Sequence, residues 1–190
     1  MSYTPEHKRQ TREKILTAAG KLFKRDGYDA TGIDTIMADA GLTRGGFYAH
    51  FVDKEDLFSR IVLPRKFDSQ PSSETFDPTV QLSQIFDYYL SIGHRDNPGE
   101  GCALPALSAD IARTGGQARR RYTAIFRGFW KIISRNIGTK RQHDCDQTAQ
   151  AILSIMIGGV IVSRALGKGE ASTQVLAACH ESCEKLAKIR

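Results

Sequence analysis

An all-α fold in two parts is predicted from three observations on the chain. Apolar residues recur every three to four positions over long stretches, and no stretch alternates long enough to build a sheet. Residues 31–51, TGIDTIMADAGLTRGGFYAHF, place two short helical segments around a tight, Gly-containing turn, which is a helix-turn-helix pattern. The expected organisation is a helix-turn-helix domain over residues 1–53 and a helical domain over residues 54–190.

Each element follows from its residues. Arg12 to Gly27 reads as a helix with Ile15, Ala18, Ala19, Leu22 and Phe23 on one face. Thr31, with Asp34 three residues on, resembles a capping box in which Asp replaces the usual Glu or Gln. Ile33, Ile36, Met37 and Ala40 then keep helical spacing, and Gly41 suits the left-handed backbone that ends a helix. Leu42 seals the corner, and Thr43 supplies a hydroxyl N-cap for the segment Arg44–His50. A second helix of that size fits a DNA major groove, so these residues point to DNA reading.

Leu57 to about Phe67 continues as a helix, ended by the polar run Asp68-Ser69-Gln70-Pro71-Ser72-Ser73. Thr79–His94 carries Val80, Leu82, Ile85, Phe86, Tyr89, Leu90 and Ile92, and Asn97-Pro98-Gly99-Glu100-Gly101 is a turn by composition. Cys102–Arg113 tolerates Pro105 in its first turn, and Gln117–Ile137, Asp146–Leu166 and Ser172–Ile189 complete the helices.

Composition narrows the class. The chain has 190 residues, 41% hydrophobic and 25% charged, ordinary for a globular protein with a sizeable core. Its polar start is unlike a secretory signal, and the run Ile155–Val162 is far shorter than the ~20 residues of a membrane span. Four irregularly spaced cysteines make no disulfide framework, so a reducing cytoplasm is expected. The net charge is +6, and residues 1–25 hold Lys8, Arg9, Arg12, Lys14, Lys21, Lys24 and Arg25 against Glu6 and Glu13. Beside a reading head, such a cluster pairs with backbone phosphates.

No enzyme, cofactor or metal is expected. His94-Arg95-Asp96 resembles a kinase catalytic loop, but the Gly-rich and magnesium-binding motifs are missing. Cys179 and Cys183 offer two ligands on one face, with His180 about 100° away round the helix, a poor metal site. In His143-Asp144-Cys145-Asp146, a helix N-cap at Asp144 or Asp146 is the simpler explanation.

The motif Ile33-x-x-Ile36-Met37-Ala38-x-Ala40-Gly41-Leu42-Thr43, then Phe47-Tyr48-x-His50-Phe51 and Asp53-Lys54-Glu55-x-Leu57-Phe58, resembles the DNA-binding half of the TetR family. The first helix and Tyr28 fit the same pattern. The likeness covers about the first third of the chain; beyond Phe67 it is one of length and helical character. It implies a transcriptional regulator, a homodimer on a palindromic double-stranded DNA operator, with a C-terminal helical domain for dimerisation and a small-molecule effector.

Candidate DNA contacts are Thr31, Thr43, Arg44, Gly45, Gly46, Tyr48, His50 and Lys54. Arg44 is the base reader, because a guanidinium pairs bidentately with a guanine edge. The resemblance puts Tyr48 and Lys54 on the sugar-phosphate backbone, and His50 either there or packed against the first helix. Phe47 and Phe51 are expected in the core. Gly45 and Gly46 depart from the family pattern, as does Gly32, so few side chains specify sequence and DNA shape shares the work.

In the helical domain, Ile152, Ile155, Met156, Gly159, Val160, Val162, Cys179 and Cys183 are candidates for a dimer interface, with Gly158 and Gly159 permitting close helix approach. A buried monomer core is the alternative. Phe86, Tyr89, Leu107, Tyr122, Phe126, Phe129 and Trp130 are candidates for an effector pocket, again with core as the alternative. Residues 111–143 hold nine Lys/Arg and no acid, a solvated face unless one arginine turns inward. Cys102 follows Gly101 at a helix start, where the dipole favours thiolate and a sensing role competes with simple packing. Two other functions fit this sequence: a ligand-independent architectural or cell-division DNA-binding protein of the same fold, and an enzyme or carrier with a vestigial head.

Overall fold

The computed structural model describes residues 4–61, 78–114, 116–137 and 142–188, and among these no strand forms. The helices are α1 (Pro5–Asp26), α2 (Ile33–Asp39), a 3-10 segment (Arg44–Ala49), α3 (Lys54–Ile61), α4 (Pro78–Tyr89), α5 (Ile92–Asp96), α6 (Ala103–Thr114), α7 (Gly116–Asn136), α8 (Gln142–Ala165) and α9 (Glu170–Ala187). The expected loop at residues 68–73 and the end of the helix before it lie outside the described residues. Two compact units emerge: Met1–Pro64 with Pro98–Tyr122, and Arg65–Asn97 with Thr123–Arg190.

In the first unit, α1 starts at Pro5 rather than Arg12. The Thr4 hydroxyl accepts the His7 N–H at 3.2 Å, and proline sits in the first turn, where its missing N–H is harmless. Ile15, Ala19, Leu22 and Phe23 of α1 are buried with Ile36 and Met37 of α2, Phe47 and Phe51, and Leu57 and Phe58 of α3. Phe23 meets Phe58 edge-on with centroids 5.2 Å apart. Each such phenylalanine contributes about 1.5–3 kcal/mol by burial.

This unit also takes in α6 and the start of α7. Lys24 Nζ donates to the Gly101 carbonyl at 3.1 Å, the Tyr28 N–H to Asp110 Oδ2 at 3.2 Å, and Ser59 Oγ to Gln117 Oε1 at 3.1 Å. A boundary after residue 53 therefore cuts through a compact unit. Helical periodicity identifies a buried face but not its partner, so these distant pairings were invisible in the sequence.

The second unit centres on α8 packed along α9, with α4 and α5 against them. The stretch expected as one helix over 79–94 is broken at Leu90-Ser91, where the Ser91 hydroxyl accepts the His94 N–H at 3.0 Å and starts α5. The kinase-like triplet is structural. Buried Arg95 donates to Asp96 Oδ1 at 2.7 Å and to Ser172 Oγ at 3.0 Å, and Arg164 donates to the His94 and Arg95 carbonyls at 2.7 and 3.0 Å. Arg95, with Lys168 beyond it, holds the Asp96 carboxyl below its ordinary pKa.

Helix α8 starts at Gln142, so Asp144 lies in its first turn and neither Asp144 nor Asp146 is its N-cap. Asp146 instead accepts Ser134 Oγ at 2.6 Å. By length and apolar composition alone, Asp144–Ala165 passes as a membrane span. Burial of Ile152, Leu153, Met156 and Val160 within the unit accounts for that apolarity.

Candidate nucleic-acid interface

Helix α2 ends as expected. Gly41 has φ +69°, the Leu42 N–H reaches back to the Met37 carbonyl at 2.8 Å, and the Gly41 N–H reaches Ala38 O at 3.0 Å. This double bond pattern is a Schellman motif, and it sets the direction in which the chain leaves the turn.

The reading segment itself is a 3-10 helix, not an α-helix. Adjacent glycines at 45 and 46 supply little to hold an α-helical turn, and the short segment tightens instead. Thr43 occupies the N-cap position with extended backbone, but its hydroxyl makes no capping bond; the Gly46 N–H binds Thr43 O at 3.0 Å. Phe47 anchors the segment from below, fully buried and 5.6 Å from Phe51 by ring centroid. Gly46 faces inward, where a Cβ would lie 3.7 Å from Met37 Cε, while Gly45 faces open space. Thr43, Arg44, Gly45, Tyr48 and Ala49 are exposed.

Two candidate contacts are engaged inside the protein. Thr31 is buried and donates its hydroxyl to Gly27 O at 2.8 Å, while Gly32 takes the N-cap position of α2. The capping box is therefore not formed, and Thr31 holds the loop rather than meeting solvent. Lys54 donates to the Tyr28 and Thr31 carbonyls at 2.9 and 3.3 Å and lies 4.2 Å from the Tyr28 ring centroid. Its charge braces that loop from the start of α3.

His50 lies beside Phe51, with ring centroids 6.5 Å apart. Its ring is half-buried, and its Nδ1 has no hydrogen-bond partner among the described residues. Burial, followed by the positive charges of Lys8, Arg12 and His7, pushes its pKa below the ordinary histidine value. Arg12 lies over the Phe51 ring at 5.0 Å, so α1 cations border the reading segment.

The residue that sequence reasoning missed is Asp34. Its carboxylate binds Arg44 Nη1 at 2.6 Å across the turn. Helix-cap logic drew attention to Asp34 within its own helix and away from a partner ten residues on.

Elsewhere, Ile152, Met156, Val160 and Cys183 are fully buried within the chain, so they form core and not an exposed interface. Gly159 serves contact inside the protomer: a Cβ there would lie 2.8 Å from Cys179 Sγ. Ile155 is half-buried and Val162 is exposed. The sequence shows α8 apolar on both sides and does not say which side α9 takes.

Phe86, Tyr89 and Leu107 are buried, whereas Tyr122, Phe126, Phe129 and Trp130 are half-buried. Cys102 is half-buried, with its sulfur accepting the Leu104 N–H at 3.4 Å. Among the α7 arginines, Arg121 is the half-buried one, and burial lowers its pKa ahead of the influence of Arg60.

This geometry is that of a helix-turn-helix regulator, and comparison with known proteins agrees. Residues 15–61 match the model for bacterial regulatory proteins of the tetR family, and residues 78–179 match the tetracyclin repressor-like C-terminal domain. The chain belongs to the TetR family of DNA-binding transcriptional regulators. It is 46% identical over 165 residues to the HTH-type transcriptional regulator LmrA of Bacillus subtilis, covering 80% of this chain and 86% of that one. It is 28% identical over 175 residues to the HTH-type transcriptional repressor BepR of Brucella suis, covering 85% and 83%. The fold of reduced E. coli NemR superposes with a TM-score of 0.75 at 17% identity, over 93% of this chain and 96% of that one.

Proposed function

We propose that this protein is a cytoplasmic homodimeric repressor that binds a palindromic operator and is released by a small-molecule effector or by cysteine modification. The observation that carries the DNA half of this reading is the exposed edge Thr43, Arg44, Gly45 and Tyr48, seated on the buried Phe47 and bordered by α1 cations. Arg44 reads a base edge, while Thr43, Tyr48 and the α1 cations meet sugar and phosphate. Gly45, without a side chain, lets the backbone approach the groove.

Dimerisation is supported by the outward side of α8 and α9. Ile155, Gly158 and Val162 repeat at helical spacing on α8, and Leu186 is exposed on α9. Pairing these faces between two copies buries them and spaces two reading segments for successive major grooves, about 34 Å apart.

The effector reading is supported by α7. Phe126, Phe129 and Trp130 share one side of it, and the Trp130 indole N–H is buried with no partner among the described residues. An effector that carries a hydrogen-bond acceptor satisfies that donor, and one that prefers a single dimer spacing shifts the population away from operator binding. The relative named as a repressor, BepR, favours repression over activation.

Selection of random duplex DNA by the purified protein tests this function. Recovery of a palindrome with half-sites about one helical turn apart is expected. Arg44→Ala should weaken binding by roughly 1–3 kcal/mol and flatten preference at one base of each half-site. Recovery of no enriched sequence, with and without candidate effectors, rejects the operator-binding proposal.

A further inference from the structure

We propose that Asp34 is a specificity-determining positioning residue, which holds the Arg44 guanidinium so that one edge is presented to guanine. The proposal rests on base reading by Arg44. Asp34 sits in the first turn of α2 and Arg44 opens the reading segment, and the Gly41 turn brings them together. Arg44 Nη1 and Asp34 Oδ2 are 2.6 Å apart.

Stability does not explain this pair. The two side chains are 63% and 64% exposed, and an ion pair so solvated adds little to folding. Its effect is on orientation. An unrestrained arginine loses several freely rotating bonds on docking, whereas one tethered at Nη1 has surrendered part of that freedom beforehand. Gly45 beside it offers no side chain to steer the guanidinium, so the carboxylate is the fixed point.

The chemistry of the tether selects the target. With Nη1 engaged, the Nε–H and Nη2–H edge keeps two parallel donors, the pattern that matches guanine O6 and N7. Asp34 itself accepts hydrogen bonds only, so it offers nothing to guanine N7 or O6 and repels a phosphate. It therefore lowers general affinity for DNA while keeping Arg44 on the base, a trade of affinity for discrimination.

Random-duplex selection and binding to a mixed-sequence duplex, both with the full chain, test this on Asp34→Ala, Asp34→Asn, Arg44→Ala and the Asp34→Ala/Arg44→Ala double variant. Arg44→Ala should flatten one position of each half-site. Asp34→Ala should reduce preference at that same position by roughly five- to tenfold and leave binding to mixed sequence unchanged or tighter. In the Arg44→Ala background, Asp34→Ala should change no base preference. Asp34→Asn, which keeps the shape at the start of α2, should follow Asp34→Ala in direction.

Undiminished preference at the Arg44 position in both Asp34 variants overturns the proposal, as does an equal loss at every position. If Arg44→Ala flattens no position, base reading by Arg44 fails first and the positioning role falls with it. The two failures are thus separable.

Discussion

At the α2 turn, Gly41 takes φ +69° and two backbone hydrogen bonds close the corner. At the α8–α9 contact, Gly159 lies where a Cβ would come within 2.8 Å of a sulfur on the facing helix. In the first case glycine is needed for a backbone angle, which neighbouring residues reveal. In the second it is needed for space, which depends on a helix some twenty residues away. The reading head is specified locally and the α8–α9 pair by tertiary contact, so the two regions should fail differently.

The largest effect separates the adjacent glycines of α8. Gly159→Val forces the Cys179 side chain and Leu90 to give way and should destabilise the protein by about 1–3 kcal/mol in urea unfolding. Cys179→Ala in that background should recover part of the loss. Gly158→Glu meets open space and should leave single-chain stability nearly unchanged, while sedimentation should show a dimer converted to monomer. Equal destabilisation by the two glycine substitutions would remove the distinction between inner and outer faces of α8.

Next comes Lys54→Met. Losing a charged donor from the Tyr28 and Thr31 carbonyls should lower stability by about 1–2 kcal/mol, with operator affinity falling in parallel. If affinity falls while stability holds, Lys54 contacts phosphate directly and is not a brace.

The smallest effect is electrostatic. His50 has a folded-state pKa below its ordinary value of about 6.5, so the unfolded chain takes up the proton first as pH falls. Its favourable contribution is complete above that value and is lost as pH falls from it through the lower folded-state value. Between pH 7.5 and 5.5 the wild type should therefore lose slightly more stability than His50→Gln, by less than about 1 kcal/mol. A His50 resonance titrating above the ordinary value would contradict this.

Legibility followed the same division. The helix-turn-helix, the Gly41 termination and the buried Phe47 and Phe51 were readable, because each is set by residues within a few positions. The 3-10 form of the reading segment was not foreseen, although Gly45 and Gly46 are the residues that favour it. The internal bonds of Thr31 and Lys54 were not readable, because a residue's type does not show that a carbonyl of the same loop has claimed its hydroxyl or ammonium. The interface candidates divided similarly: periodicity placed Met156 and Val162 on an apolar helix, and only packing against α9 separated the buried one from the exposed one.

The engagement of Lys54 has a thermodynamic consequence for DNA affinity. Each phosphate neutralised by a mobile cation releases counterions, and the logarithm of the binding constant falls with the logarithm of salt by about 0.9 per phosphate. Lys54 and Lys24 hold carbonyls within the protein, while Arg9 and Arg25 are paired with Glu6 and Asp26. Surface pairs such as the last two exchange readily, but an ammonium bracing a loop does not. The salt sensitivity of operator binding should therefore be shallower than the basic residues of the N-terminal third suggest, leaving a larger share of the affinity to contacts that distinguish one sequence from another.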